Sequence, residues 1–308
     1  MHLPASVTIV EVSLRDGLQD EHTTLSTADK AGLCRALVGA GLRHIEATSF
    51  VRPDLVPQLA DAEELARLIL PASDIVYAAL IPNLKGAERA LQSGFRTWHL
   101  LVSASETHNW VNIHRTVDQS LDELGRVAAL AAQAGVTLAG YIGTAFGCPF
   151  EGQISIAKVG RLVDAYAGMG VNHITLADTT GMANPRQVYE TAVSLQEAYP
   201  AVVFGMHFHN TRDLGLANVL AAMQAGVTRF DASLGGIGGC PFAPAAGGNI
   251  ATEDLVHMLS EMGIDTGIDL DQLIDASRRL ESLLGHALAS RLPKVGKAYD
   301  LHDPSEIR

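Results

Sequence analysis

The sequence predicts an α/β fold: a (β/α)8 TIM barrel with additional C-terminal helices, forming a single domain over residues 1–308. Three observations carry this expectation. Eight short runs rich in Val, Ile and Thr recur along the chain, segments of helical periodicity separate them, and glycine closes several of those segments just before the next run. Taken in order, Val7–Val12 reads as the first strand and Thr27–Val38 as the helix after it, ending near Ala40-Gly41. Arg43–Thr48 is followed by Pro57–Leu70, and Asp74–Leu80 by Lys85–Gln92, which stops at Ser93-Gly94. Thr97–Val102 leads to Val117–Ala134 with Gly135 as its cap, and Val136–Ile142 to Ile154–Met169 with Gly170 as its cap. His173–Ala177 precedes Pro185–Ala198, Val202–Met206 precedes Leu214–Ala225 with Gly226, and Thr228–Ala232 is the last strand. Thr252–Met262 and Leu270–Leu284 complete and extend the helical ring. A doubly wound open sheet has the same alternation, but no glycine-rich dinucleotide fingerprint follows the first strand.

Composition narrows the class of function. With 47% hydrophobic residues in 308, the chain can bury a large core. A net charge of −12 argues against nucleic acid or an anionic membrane as the main partner. Three cysteines, Cys34, Cys148 and Cys240, suit a reducing cytoplasm better than a disulfide framework. The N-terminal residues show no basic stretch followed by an apolar core, so no secretory signal is expected.

In a barrel of this kind chemistry collects just after the strands. Arg15, Asp16 and Gln19 follow strand one, Glu46 and Ser49 end strand two, and Asp178 follows strand six. The triplet His207-Phe208-His209 closes strand seven. Strand alternation points both histidines the same way, so they can grip one divalent ion, although His-x-His is equally the pattern of a polar strand edge. Asp16 would be the third ligand, unless Arg15-Asp16 is only a structural ion pair, and Asn249 offers a neutral amide oxygen. Cys240 lies between Gly239 and Pro241 in a glycine-rich loop, where a thiol can take or give a proton near neutral pH. Cys34 and Cys148 read as inert buried thiols, and His22, His108, His114 and His173 as surface or packing residues.

Several motifs together resemble the 3-hydroxy-3-methylglutaryl-CoA lyase family of TIM-barrel metallolyases. They are Arg15-Asp16-Gly17-Leu18-Gln19, Glu46-Ala47-Thr48-Ser49-Phe50-Val51, Gly147-Cys148-Pro149-Phe150-Glu151-Gly152, His207-Phe208-His209, Gly238-Gly239-Cys240-Pro241-Phe242-Ala243, Gly248-Asn249 and Ala251-Thr252-Glu253-Asp254. The resemblance implies Mg²⁺ or Mn²⁺ held by Asp16, His207, His209 and Asn249. It implies that Arg15 stabilises an enolate, that Cys240 transfers a proton, and that Glu46 and Asp178 are supporting acids. Gln19 and Ser49 are expected at the substrate, and Glu253 is expected to hold the Cys240 loop and the Asn249 region. The implied reaction cleaves an acyl-CoA between C2 and C3, giving a 3-oxoacid and acetyl-CoA, with Asp16 or a water near it as the expected first base. A dimer or tetramer is expected on the same ground.

The chain departs from the family pattern in places. Ser13-Leu14 stands where Gly-Pro is usual, Asn210 replaces an Asp after His-x-His, and Asp213 replaces a Gly. Trp110 falls near the expected substrate mouth, as a loop anchor or as a surface for a different acyl chain. The leading expectation is hydroxymethylglutaryl-CoA cleavage. The alternatives are a sister lyase for another 3-hydroxy-3-alkyl acyl-CoA such as citramalyl-CoA, and a barrel that binds acyl-CoA or metal without turnover.

Overall fold

A computed structural model describes residues 3–70, 74–239 and 248–301. Eight parallel strands close into a barrel: β1 (Thr8–Glu11), β2 (His44–Ser49), β3 (Val76–Leu80), β4 (Thr97–Ser103), β5 (Thr137–Gly143), β6 (His173–Asp178), β7 (Val203–Phe208) and β8 (Arg229–Ala232). Each pairs with its sequence neighbours, and β8 closes the ring on β1, with Thr8 opposite Arg229. Short apolar β-branched runs favour strands, and only a parallel arrangement lets helices cover the whole outer face.

Around the strands run α1 (Thr27–Gly39), α2 (Ala62–Ile69), α3 (Leu84–Gln92), α4 (Glu106–Ile113), α5 (Val117–Ala134), α6 (Ile156–Gly168), α7 (Pro185–Ala198) and α8 (Gly215–Gln224). After β8 come α9 (Thr252–Glu261), α10 (Leu270–Leu284) and the short α11 (Leu292–Val295). Side chains start most of these helices. Ser26, Asn83, Ser105, Ser155, Asn184 and Asp269 each accept a backbone N–H of the first turn, and Thr116 with Gln119 forms a full capping box on α5. Gly135 and Gly285 end α5 and α10 in the left-handed conformation, as C-cap glycines do.

The expected helix at Pro57–Leu70 is two pieces, a single 3-10 turn at Pro57–Leu59 and then α2. Between them Asp61 pairs with the buried ammonium of Lys30 at 2.6 Å. Helix α4 was not anticipated, because its eight residues carry no clear apolar stripe. Trp110 lies on it, 53% exposed, with its ring edge against His114 at 6.3 Å, so it does not anchor a loop. Among the described residues no helix is long and apolar enough to cross a membrane.

The core divides into two regions of opposite character. Between strands and helices lie fully buried apolar groups such as Ile45, Trp98, Leu100, Ile142, Leu176, Met206 and Phe230. The alternate residues on the same strands include Glu46, His99, Tyr141, Thr175, His207 and Asp231, all buried and polar. These fill the middle of the barrel beneath its C-terminal mouth.

Candidate metal centre at the barrel mouth

The site begins where β1 ends. Residues Ser13–Gly17 make one tight π-helical turn, in which the N–H groups of Arg15, Asp16 and Gly17 all converge on the carbonyl of Val12. The turn directs Arg15 and Asp16 inward, and both are buried. Gly17 is required here, because a Cβ would come within 2.6 Å of the Ile237 side chain.

From β7 the two histidines arrive on one face, as alternation predicts, with His207 in the strand and His209 just beyond it. Their Nε2 atoms stand 3.1 Å apart. Both face Oδ2 of Asp16, at 3.8 Å from His207 and 3.7 Å from His209. Asn249 reaches the same place through backbone pairing. The segment 248–250 bridges to the end of β7, with the Asn210 N–H donating to Gly248 O at 2.8 Å and the Ile250 N–H to Phe208 O at 3.1 Å. The Asn249 amide nitrogen donates to Asp16 Oδ2 at 2.8 Å and to Ile237 O at 3.0 Å.

These groups fit a divalent cation. One ligand atom each from Asp16, His207 and His209 lies within 4.8 Å of the others. Oδ1 of Asn249 is buried and has no hydrogen-bond partner, while its nitrogen is fully engaged, so the amide is oriented with its oxygen available. Two imidazole nitrogens, a carboxylate and an amide oxygen make a donor set for a divalent ion with room for further ligands.

Charge around the cluster is balanced by contact. Arg15 donates to Asp16 Oδ1 through Nη1 and to Glu46 Oε2 through Nε, both within salt-bridge distance. Burial alone would raise the Asp16 carboxyl, yet the charges of Arg15, His207 and His209 and the Asn249 hydrogen bond hold it well below the usual carboxylate range. Glu46 is likewise held low: burial opposes ionisation, and Arg15 and then His99 overcome it. Burial would lower His207, but the hydrogen bond from Nδ1 to Asp231 Oδ2, at 3.2 Å, and the Asp16 charge raise it. His209 is pushed down to about 4, by burial and then by its neighbour His207. The carboxyl of Asp20, at the rim, rises to about 6 through burial and then the charge of Asp16.

The other expected site residues are placed as follows. Glu46 is fully buried behind Arg15. Gln19 lies at the margin, its amide 3.4 Å from Asp16 Oδ1. Ser49, at the end of β2, is tied to the Leu80 carbonyl at 3.2 Å and makes no contact with the cluster. Asp178 ends β6, where its Oδ1 accepts the N–H groups of Met182 at 2.8 Å and Ala183 at 3.1 Å. Its Oδ2 is buried without a partner, and burial lifts this carboxyl to about 6. Cys240 lies outside the described residues. Cys34 and Cys148 are buried as expected, with Cys148 Sγ 3.0 Å from the Ser105 hydroxyl.

Four polar residues escaped the sequence reading. Asp231 orients His207 from the neighbouring strand, directly opposite it in register. His99 contacts Glu46. Glu11 accepts the N–H groups of Ser13 and Leu234 and the Thr252 hydroxyl, fastening the π-helical turn to α9. Ser277, on α10, donates to Glu253, which also accepts the Gly235 N–H at 3.0 Å. Glu11 is a lone charge in an apolar strand and Asp231 shares its short strand with Arg229, a weak signal in both cases. The departures at 210 and 213 compensate one another: Asp213 adopts φ +55° where a glycine would be at ease, and the Asn210 amide donates to its carboxylate at 3.1 Å.

A sequence-family comparison matches residues 6–280 to the family described as HMGL-like. The chain belongs to this family. A hydroxymethylglutaryl-CoA lyase of Bacillus subtilis is 43% identical over 97% of this chain and its own full length. A (R)-citramalyl-CoA lyase of Chloroflexus aurantiacus is 43% identical over 96% of both chains. Among solved structures, an HMG-CoA lyase of Acinetobacter baumannii, in complex with coenzyme A and 3-methylmalate, superposes with a TM-score of 0.92 at 48% identity over 97% of each chain. HMGL-like lyases are generally dependent on a divalent metal, and Asp16, His207 and His209 offer ligand atoms spaced to hold one.

Proposed function

We propose that this HMGL-like enzyme cleaves 3-hydroxy-3-methylglutaryl-CoA to acetoacetate and acetyl-CoA. The observation that carries the reading is the buried Asp16, His207 and His209 cluster with the Arg15 guanidinium paired to Asp16 and Glu46 beside it. Asp16, His207, His209 and Asn249 would hold Mg²⁺ or Mn²⁺. When bound, such an ion polarises the tertiary hydroxyl of the substrate as a Lewis acid.

The chain's own groups account for the rest. Loss of the hydroxyl proton lets the C3–O electron pair form a carbonyl while the C2–C3 pair moves onto the thioester, giving acetoacetate and the enolate of acetyl-CoA. Asp178 suits the proton-accepting role. Its free buried oxygen is available, and a carboxyl near 6 is better matched to proton transfer at neutral pH than the strongly ionised Asp16. Arg15, permanently charged and held by Glu46, stabilises the enolate oxygen. Protonation at C2 completes acetyl-CoA, and Cys240 is the donor in this reading. Gln19 and Ser49 contact substrate at the rim. In this reading the protein works as a cytoplasmic dimer or tetramer in leucine breakdown.

Product analysis of purified protein with Mg²⁺ or Mn²⁺ tests the reading, with hydroxymethylglutaryl-CoA and citramalyl-CoA offered in parallel. Acetoacetate with acetyl-CoA from the first is expected. Pyruvate with acetyl-CoA from the second alone would overturn the substrate and keep the mechanism.

A further inference from the structure

Arg15 does not hold its position alone. Its Nε donates to Oε2 of Glu46, and the other oxygen of Glu46, Oε1, lies 2.8 Å from Nδ1 of His99. Both partners are essentially sealed from solvent, at 0% and 2% exposure. His99 belongs to β4 and Glu46 to β2, and these strands are not neighbours, because β3 runs between them. The two side chains can meet only through the barrel interior. Ala78 of β3 is in register with Glu46 and Leu80 with His99, so by alternation the Glu46 and His99 side chains face the same side of the sheet. On its other side the His99 ring packs on Tyr141, with centroids 4.8 Å apart.

The direction of the hydrogen bond follows from the partner. Glu46 is held ionised beside Arg15, and an ionised carboxylate only accepts. Nδ1 of His99 therefore carries the proton and donates it. The result is a buried string in which His99 donates to Glu46, Arg15 donates to both Glu46 and Asp16, and Asn249 donates to Asp16. A single Arg contact leaves one oxygen of this carboxylate unheld, and a second donor on that far oxygen fixes the group at both ends.

We infer that His99 is a positioning residue for the reaction, fixing Glu46 so that the Arg15 guanidinium is presented to the developing enolate. This rests on the proposed lyase reading. His99 touches neither substrate nor the cation ligands, so its loss lowers kcat and leaves KM and metal affinity nearly unchanged.

The test uses the full chain and three variants at this position. Asn places an amide N–H near Nδ1 of histidine, Gln places it near Nε2, and Leu supplies no donor. His99→Asn is expected to keep kcat within about threefold of the parent. His99→Gln and His99→Leu are expected to lose about tenfold or more, the scale of a lost supporting hydrogen bond. In a Glu46→Gln background the three variants should be indistinguishable. A reading independent of turnover comes from chemical denaturation of the metal-free protein, where the stability loss of His99→Leu should vanish once Glu46 is Gln. Equal kcat for Asn and Gln at 99, or an undiminished His99→Leu effect in the Glu46→Gln background, overturns the inference. If the parent cleaves neither acyl-CoA, the lyase reading fails first, and the denaturation cycle still decides whether His99 and Glu46 are coupled.

Discussion

Glu253 sits at the first turn of α9, fully buried, accepting the Gly235 N–H and the Ser277 hydroxyl with no cation beside it among the described residues. Burial raises its carboxyl from 4.5 to about 7. In the unfolded chain this group ionises near 4.5, so between that pH and 7 the folded protein binds a proton that the unfolded one has lost. Stability from this residue is therefore greatest at low pH, falls as pH climbs through that window, and levels off above it. A shift of about 2.5 units corresponds to roughly 3 kcal/mol at most. Glu253→Gln keeps the shape and one acceptor but cannot ionise. Urea unfolding of both proteins, metal-free, from pH 5 to 8.5 should show the variant gaining on the parent by up to about 3 kcal/mol as pH rises. Because Gly235 opens the loop that carries Cys240, the parent should also lose hydrogen-exchange protection at the Gly235 amide over the same range. Two stability curves that stay parallel from pH 5 to 8.5 would refute the assignment of a buried, late-ionising acid.

Further outcomes follow from the same contacts. Asp231→Asn removes the charge that holds His207 with Nε2 free, and calorimetric titration with Mn²⁺ should show affinity lower by about 10–100-fold. Gly238 has φ +105°, and a Cβ there would stand 2.6 Å from the Asn249 amide nitrogen, so Gly238→Ala should weaken Mn²⁺ binding and also lower the melting temperature. Thr116→Ala breaks the capping box of α5 and should cost about 1 kcal/mol in urea unfolding while leaving kcat intact.

The legible part of this molecule was whatever repeats or ends an element. Buried parallel strands announce themselves as apolar β-branched runs, and all eight were placed within about three residues. Arg15, Asp16, His207 and His209 were legible because they follow strands, where a barrel keeps its chemistry. Glu11, His99 and Asp231 were not, since both faces of a barrel strand are buried. A single polar residue in such a strand gives no sign of whether it faces the axis or the helices. Its partner lies on a strand far away in sequence: 53 residues separate Glu46 from His99, and 24 separate His207 from Asp231. The π-helical turn after β1 was equally hidden, because its three N–H groups share one carbonyl, a geometry with no residue signature of its own.

The pairing of residues 248–250 with the end of β7 has a consequence for how this enzyme can change. Gly236 and Gly248 lie backbone against backbone, close enough that a Cβ on Gly248 would meet Gly236 O at 2.0 Å. Residues 236 and 248 thus meet at one point of the barrel rim, and Asn249 is held there against the end of β7. Its seat has Gly236 and Gly248 on one side and the end of β7 on the other. Sequence change at Gly236, Gly248 or the end of β7 would move the Asn249 amide off Asp16, so drift is most constrained at those contacts.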